Sequence, residues 1–161
     1  MQIHLIRHAH AVEGKDDAAR LLSKRGRKEI RIIGRFLRKR TGLGTREFWH
    51  SPLVRSRDTA RLLGQELKIR AKLKQVNGLE HSDRPAVMAR RLGKLRRPVA
   101  VVGHEPQLGA LISLLVAGAA KPSLFILEKC SVTTLERTPG RRWSVCGQIS
   151  PATIKRRRRR K

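Results

Sequence analysis

Apolar residues alternate and then run together over residues 2–7 (Ile3, Leu5, Ile6), which predicts a short strand. Residues 8–17 are polar and contain Gly14, the composition of a loop. Ile30, Ile33 and Leu37 recur at three- and four-residue spacing, so a helix is expected over 23–40, capped by Ser23 and stopped by Gly42 and Gly44. Its other face is almost entirely Arg and Lys. Residues 47–50, with Phe48 and Trp49, form a brief strand. Ser51-Pro52 opens a second helix, with Ser as cap and Pro at the first helical position, that continues to about Leu67. A weak strand over 71–76 and a loop over 77–83 follow. A helix over 84–95 turns Val87, Met88 and Leu92 inward. Residues 98–103 (Pro-Val-Ala-Val-Val-Gly) are continuously apolar, as in strands covered on both faces of a parallel sheet. A strongly apolar helix spans 106–118. Strands are expected over 123–127 and 131–137, then a turn at 138–140 and a returning strand over 143–149. Residues 151–161 show no apolar period and read as a disordered basic tail.

Strand and helix alternate and end in a hairpin. This predicts an α/β fold: a three-layer sandwich with a mostly parallel central sheet flanked by helices and a C-terminal antiparallel hairpin. No repeat or linker interrupts residues 1–150, so they are expected to form one domain, with 151–161 appended. Aromatics are few and Tyr is absent, so the core is expected to be aliphatic, with Trp49 and Trp143 as packing residues.

Composition adds further constraints. Lys and Arg number 38 against 12 Asp and Glu, a formal charge of +26. The excess survives removal of the wholly basic run 155–161. A positive field of this kind speeds encounter with anionic partners and holds nucleic acid or another polyanion non-specifically. A single-strand stacking platform is disfavoured by the scarcity of aromatics. The run 155–161 suits a polyanion arm or a nuclear signal, and Arg-rich composition also arises from genome base composition alone. The helix face from Lys24 to Arg40 reads as solvated. No stretch of about 18 uncharged apolar residues exists, so no membrane span is expected. The first residues meet charge at Arg7, too early for a signal peptide, and a cytoplasmic location is expected. Cys130 and Cys146 form no C-x-x-C pair and read as core thiols in a reducing compartment.

In open α/β sheets, ligands sit beyond the carboxyl ends of the strands. The residues there are Arg7 and His8, His50 and Ser51 with Arg55 one turn on, and Gly103, His104 and Glu105 before Pro106. Glu80 and His81 lie in the 77–83 loop. Two guanidinium forks can clamp a tetrahedral dianion, and free amides at the helix starts near Pro52 and Pro106 favour anions. A neutral imidazole can attack phosphorus and form a covalent intermediate, and a second can stabilise the transferring oxygens. His4, His8 and His10 fall at even spacing, which raises a metal site, but no carboxylate pair or Cys joins them. Thr59 reads as buried beneath the pocket.

Leu5-Ile6-Arg7-His8-Ala9 resembles the Arg-His-Gly signature of the histidine phosphatase superfamily, with Ala where the signature has Gly. Leu22-Ser23-x-x-Gly26-x-x-Glu29 is similar to that family's Leu-Thr-x-x-Gly-x-x-Gln helix opening. Residues 51–60 match its Ser-x-x-x-Arg-x-x-x-Thr-Ala segment, and Val101-Val102-Gly103-His104 its strand ending in Gly/Ser-His. The motifs keep the family's order, and the resemblance covers residues 2–149. The short chain and the Gly103-His104-Glu105-Pro106 junction resemble the SixA branch, the phosphohistidine phosphatases. The resemblance implies His8 as the phospho-accepting nucleophile. It implies Arg7, Arg55 and His104 as the phosphate pocket, and no cofactor or metal. Glu80 is the matching candidate for a proton donor, followed by Glu105, Asp83 and Glu13. The implied substrate is a phosphorylated protein of the histidine-phosphotransfer kind. Small phosphoesters, polyphosphate, or a polyanion-binding role on the same scaffold are the alternatives. A phosphoramidate nitrogen leaves more readily than an alkoxide and so needs less acid assistance.

Overall fold

The computed structural model describes residues 1–40 and 42–158, without the side chains of residues 141 and 156–158. The elements are β1 (Gln2–Arg7), α1 (Lys24–Arg38), β2 (Glu47–His50), α2 (Val54–Glu66), β3 (Lys72–Gln75), α3 (Pro85–Gly93), β4 (Val99–Gly103), α4 (Gln107–Ala117), β5 (Val132–Arg137), β6 (Trp143–Ile149) and α5 (Pro151–Arg158). The strands form one six-stranded sheet in the order β3-β2-β4-β1-β5-β6. β1, β2, β3 and β4 run parallel; β5 is antiparallel to β1, and β6 to β5. This is the expected α/β sandwich.

Side-chain alternation along each strand decides which helices cover which face. Ile3 and Leu5 of β1, with Val99 and Val101 of β4, pack against Met88 and Leu92 of α3 and Leu108, Leu111 and Ile112 of α4. Ile6, Ala100 and Val102 face the other way, onto Ile30 and Ile33 of α1, Ala60 and Leu63 of α2 and Ile154 of α5. Every residue of β4 is buried, as its continuous apolar run requires. The register aligns the strand ends: Arg7 lies opposite Gly103, and His50 opposite Val102. β5 enters beside β1 with Val132 opposite Ile6, so the residues just before β5 reach the same edge of the sheet.

Four expectations need correction. Residues 123–127 form no strand. The Leu124 amide donates to Ser113 Oγ, the Ser123 hydroxyl donates to the Phe125 carbonyl, and Gln148 Nε2 donates to the Ile126 carbonyl. Side chains thus satisfy this backbone where a ladder would have. α2 starts at Val54, not at Pro52, and its N-cap Leu53 makes no side-chain cap bond. Residues 151–158 are helical, because Ile154 is an anchor buried against the α1/α2 face of the core. One apolar residue is too little to show a period. The rest of the basic tail, 159–161, lies outside the described residues. Cys130 is buried, but Cys146 is exposed on the edge strand β6. No helix of the described residues is long and apolar enough to cross a membrane.

Candidate active site

The loop leaving β1 is fixed from below by α1. The Ser23 side chain accepts the Gly26 amide as helix cap, and the Ser23 amide donates to the His10 carbonyl. Glu29 Oε2 accepts the His10 amide at 3.0 Å, and Ser23 Oγ lies 2.8 Å from His10 Nδ1. A Cβ at Gly26 would collide with the His10 carbonyl, so only glycine lets α1 approach this closely. The Leu-Ser-x-x-Gly-x-x-Glu pattern is therefore a clamp on the segment carrying His8. A second tie comes from α2: Thr59 Oγ1 accepts the Ala9 amide at 3.0 Å and donates to the Arg55 carbonyl. Thr59 is fully buried, beneath the site as expected. Ala9 is buried and is not among the residues with positive φ, so the backbone there accepts alanine in place of the signature's glycine.

His8 is buried, and its Nδ1 lies 2.7 Å from the Ala9 carbonyl. A carbonyl can only accept, so Nδ1 carries the proton and Nε2 of the neutral ring presents its lone pair. Burial lowers the His8 pKa to about 2, helped by the positive charges of Lys129 and Arg55 and by His104. The His104 ring lies 4.7 Å from that of His8, tilted by 45°. Its Nε2 sits 2.7 Å from the Ser51 hydroxyl, which turns to His104 instead of capping α2. Burial, then Arg55 and Lys129, lower its pKa to about 3. Both imidazoles are neutral at physiological pH.

Arg55 is buried, and its two terminal nitrogens donate to Asp17: Nη1 to the carbonyl, Nη2 to the carboxylate at 2.9 Å. The side-chain hydrogen bond from Arg55, with one from Arg20, holds the Asp17 carboxyl below the usual carboxylate range. Arg7 Nη1 donates to the Leu127 carbonyl at 2.7 Å. The Nε of Arg7 and of Arg55 are buried with no hydrogen-bond partner among the described residues, donors that an oxyanion can use. His8, Arg7, Arg55 and His104 thus meet at one edge of the sheet, from three separate strand ends.

Glu80 does not join them in the same way. Its backbone amide donates to Asp83, and its carboxylate has no hydrogen-bond or ion-pair partner among the described residues. Asp83 is used in that turn. Glu105 accepts the Gly109 amide and lies beside Arg7; burial raises its pKa. Glu13 is an exposed partner of Arg20. His4 and His10 turn away from His8, His4 to the Leu43 carbonyl and Thr134, His10 to Ser23, so the three imidazoles do not converge.

Lys129 escaped the sequence reading. Its Nζ lies 3.2 Å from His8 Nε2. The rule of looking after each strand suits parallel strands. β5 is antiparallel, so the residues preceding it, not following it, belong to this edge. Recognition that 131–137 pairs antiparallel with the first strand was the signal that could have found it.

A family model, the histidine phosphatase superfamily (branch 1), matches residues 3–83. No curated protein matches the sequence. Among solved structures, that of the protein histidine phosphatase SixA complexed with tungstate aligns with a TM-score of 0.85 at 21% identity, covering 96% of this chain and 99% of that one. A protein of Agrobacterium tumefaciens assigned as a SixA phosphohistidine phosphatase aligns at 0.72 and 21% identity, covering 93% and 97%. A mycobacterial glucosyl-3-phosphoglycerate phosphatase aligns at 0.70 and 19% identity, covering 90% and 96%.

Proposed function

The chain belongs to the histidine phosphatase superfamily, and from that premise we propose that it is a phosphohistidine phosphatase working in two steps through phosphorylated His8. The observation that carries the reading is the His8 ring, neutral, held by Ala9 at Nδ1, with the Nε2 lone pair among Arg7, Arg55, Lys129 and His104. In the first step Nε2 forms a bond to phosphorus while the phosphorus–nitrogen bond of the substrate breaks. The departing imidazole takes a proton from solvent. In the second, a water oxygen attacks the phosphorus of phospho-His8, the P–Nε2 bond breaks, phosphate leaves, and the water proton passes to solvent. Arg7, Arg55 and His104 donate to the non-bridging oxygens in both steps. That contribution is largest where charge develops in the transition state.

The choice of a phosphoramidate over an ester rests on the leaving group. An alkoxide needs a proton donor at the leaving oxygen, a role the sequence offers first through Glu80, whose backbone amide donates to Asp83. An imidazole needs little help. The basic surface suits an acidic phosphoprotein as substrate, and a location in the cytoplasm, where signalling phosphohistidine and free thiols occur together, completes the reading.

The test is phosphate release from a phosphorylated histidine-phosphotransfer domain, compared with an alkyl phosphate and nitrophenyl phosphate. Turnover in the order phosphohistidine, nitrophenyl phosphate, alkyl phosphate supports the reading. Efficient hydrolysis of the alkyl phosphate, lost in Glu80→Gln, assigns the protein to phosphoesters instead.

A further inference from the structure

We propose that Lys129 is a phosphate-binding residue of this site, an ammonium that leaves the His8 lone pair to grip an oxygen of the transferring phosphoryl group. The proposal rests on His8 being the nucleophile, and it extends the pocket to a group that neither the motifs nor the strand-end rule supplied.

Three observations carry it. The first is position: Nζ lies 3.2 Å from His8 Nε2, the attacking atom. Nε2 has one lone pair, and in the free protein that lone pair accepts from Lys129. A phosphoryl group in line with Nε2 must take that place, so the ammonium has to exchange its partner. An oxygen of the phosphoryl group is the nearest new acceptor. The exchange is a swap of hydrogen bonds, N–H···N for N–H···O, with no proton transferred.

The second is the lack of a counter-charge. Arg55 is paired with Asp17, and Arg7 lies beside Glu105. Lys129 forms no salt bridge among the described residues. Its surroundings are Arg7 and His8 of the first strand and its loop, Arg55 of α2, His104 after β4, and Arg20 of the 8–22 loop. The carboxylate of Glu29 on α1 is the opposing charge. Burial and the three arginines lower its pKa to about 8. A half-buried cation among cations costs energy in the free protein, and that cost is recovered when a dianion binds.

The third is the backbone that aims it. Cys130 has φ of 59°, a left-handed conformation rare for a residue with a side chain. It is held there because its amide donates to the carbonyls of Arg7 and His8. The turn is therefore built on the nucleophile's own strand end, and Lys129 is the residue it delivers. On the nucleophile's side of the pocket, its ammonium can reach the non-bridging oxygens but not the leaving atom on the far side of phosphorus. Lys129 is thus a ligand of the phosphoryl group and not a leaving-group acid.

The ammonium form is the binding form, and it is lost as pH rises through about 8. Inorganic phosphate is predominantly the dianion from about pH 8 to about 10, so calorimetric titration with inorganic phosphate over that range isolates the lysine. Wild-type affinity is expected to fall about tenfold per pH unit above the lysine's pKa. Lys129→Met should bind phosphate on the order of tenfold or more weakly at pH 7.5 and lose the alkaline fall. Lys129→Arg should keep binding at high pH, because a guanidinium does not titrate there. Circular dichroism and Tm of both variants separate a misfolded turn from a missing ligand. An alkaline fall that persists unchanged in both variants, or a Lys129→Met affinity equal to wild type, overturns the proposal. The readout needs no turnover. Phosphate binding that depends on Lys129 in a protein inactive on phosphohistidine would therefore sink the proposed function and leave this site standing.

Discussion

On the proposed function, Arg55 is the residue whose geometry best suits a tetrahedral anion. Its guanidinium is buried, planar, and already oriented by two hydrogen bonds to Asp17, with Nε left over. A lysine supplies the charge but not the fork. Arg55→Lys is therefore expected to recover little of what Arg55→Ala loses. Both should lower kcat by about 10²-fold or more, since the clamp is tightest on the transition state. Steady-state kinetics on a phosphohistidine substrate checks this. Equal kcat in wild type and Arg55→Ala would move the phosphate site elsewhere. His8, His104, Arg7 and Arg55 were all legible in the sequence, because each follows a strand or opens a helix and has a distinctive type. Lys129 was not, as one lysine among many carries no signal until β5 is known to run antiparallel to β1.

At the scale of elements, α1 does two jobs with one buried face. Ile30 and Ile33 pack on the sheet. The first turn clamps the His8 loop through Ser23, Gly26 and Glu29. Gly26→Ala should drive a methyl into the His10 carbonyl and destabilise the fold by about 1–3 kcal/mol, as overpacking does. Thermal unfolding and kcat measured together are expected to show both falling, because the displaced segment carries His8, the proposed nucleophile. A Tm and kcat unchanged by this substitution would mean that the loop does not rest on α1. The helix itself was readable from three-residue and four-residue spacing. The function of its first turn was readable only as a motif, since the bond from Glu29 to the His10 amide spans two elements. The 123–127 segment misled for a related reason: Leu124, Phe125, Ile126 and Leu127 resemble a strand locally. Yet their backbone groups pair with side chains of α4, β6, β1 and Ser123.

At the scale of the molecule, register does what no single motif can. Four parallel strands end level, and β5 begins at the same level, so side chains distant along the chain meet within a few ångströms. The parallel core was legible because β4 is apolar throughout. Helix α5 was not, because its buried anchor, Ile154, directly precedes a run of charges and shows no apolar period. The high positive charge belongs to this scale too. The imidazoles of His8 and His104 stay neutral through burial within this cationic chain, so on the proposed function attraction of an anion and nucleophilic attack fall to different groups.

The central claim is that His8 takes the phosphoryl group onto Nε2. The most direct measurement is rapid acid-free quenching of the protein with a ³²P-labelled histidine-phosphotransfer domain, followed by mapping of the labelled residue. The account predicts label on His8, lost in acid and kept in alkali as a phosphoramidate is. It also predicts no label and no turnover in a folded His8→Ala variant. Turnover of His8→Ala close to wild type, or label on any other residue, would contradict it.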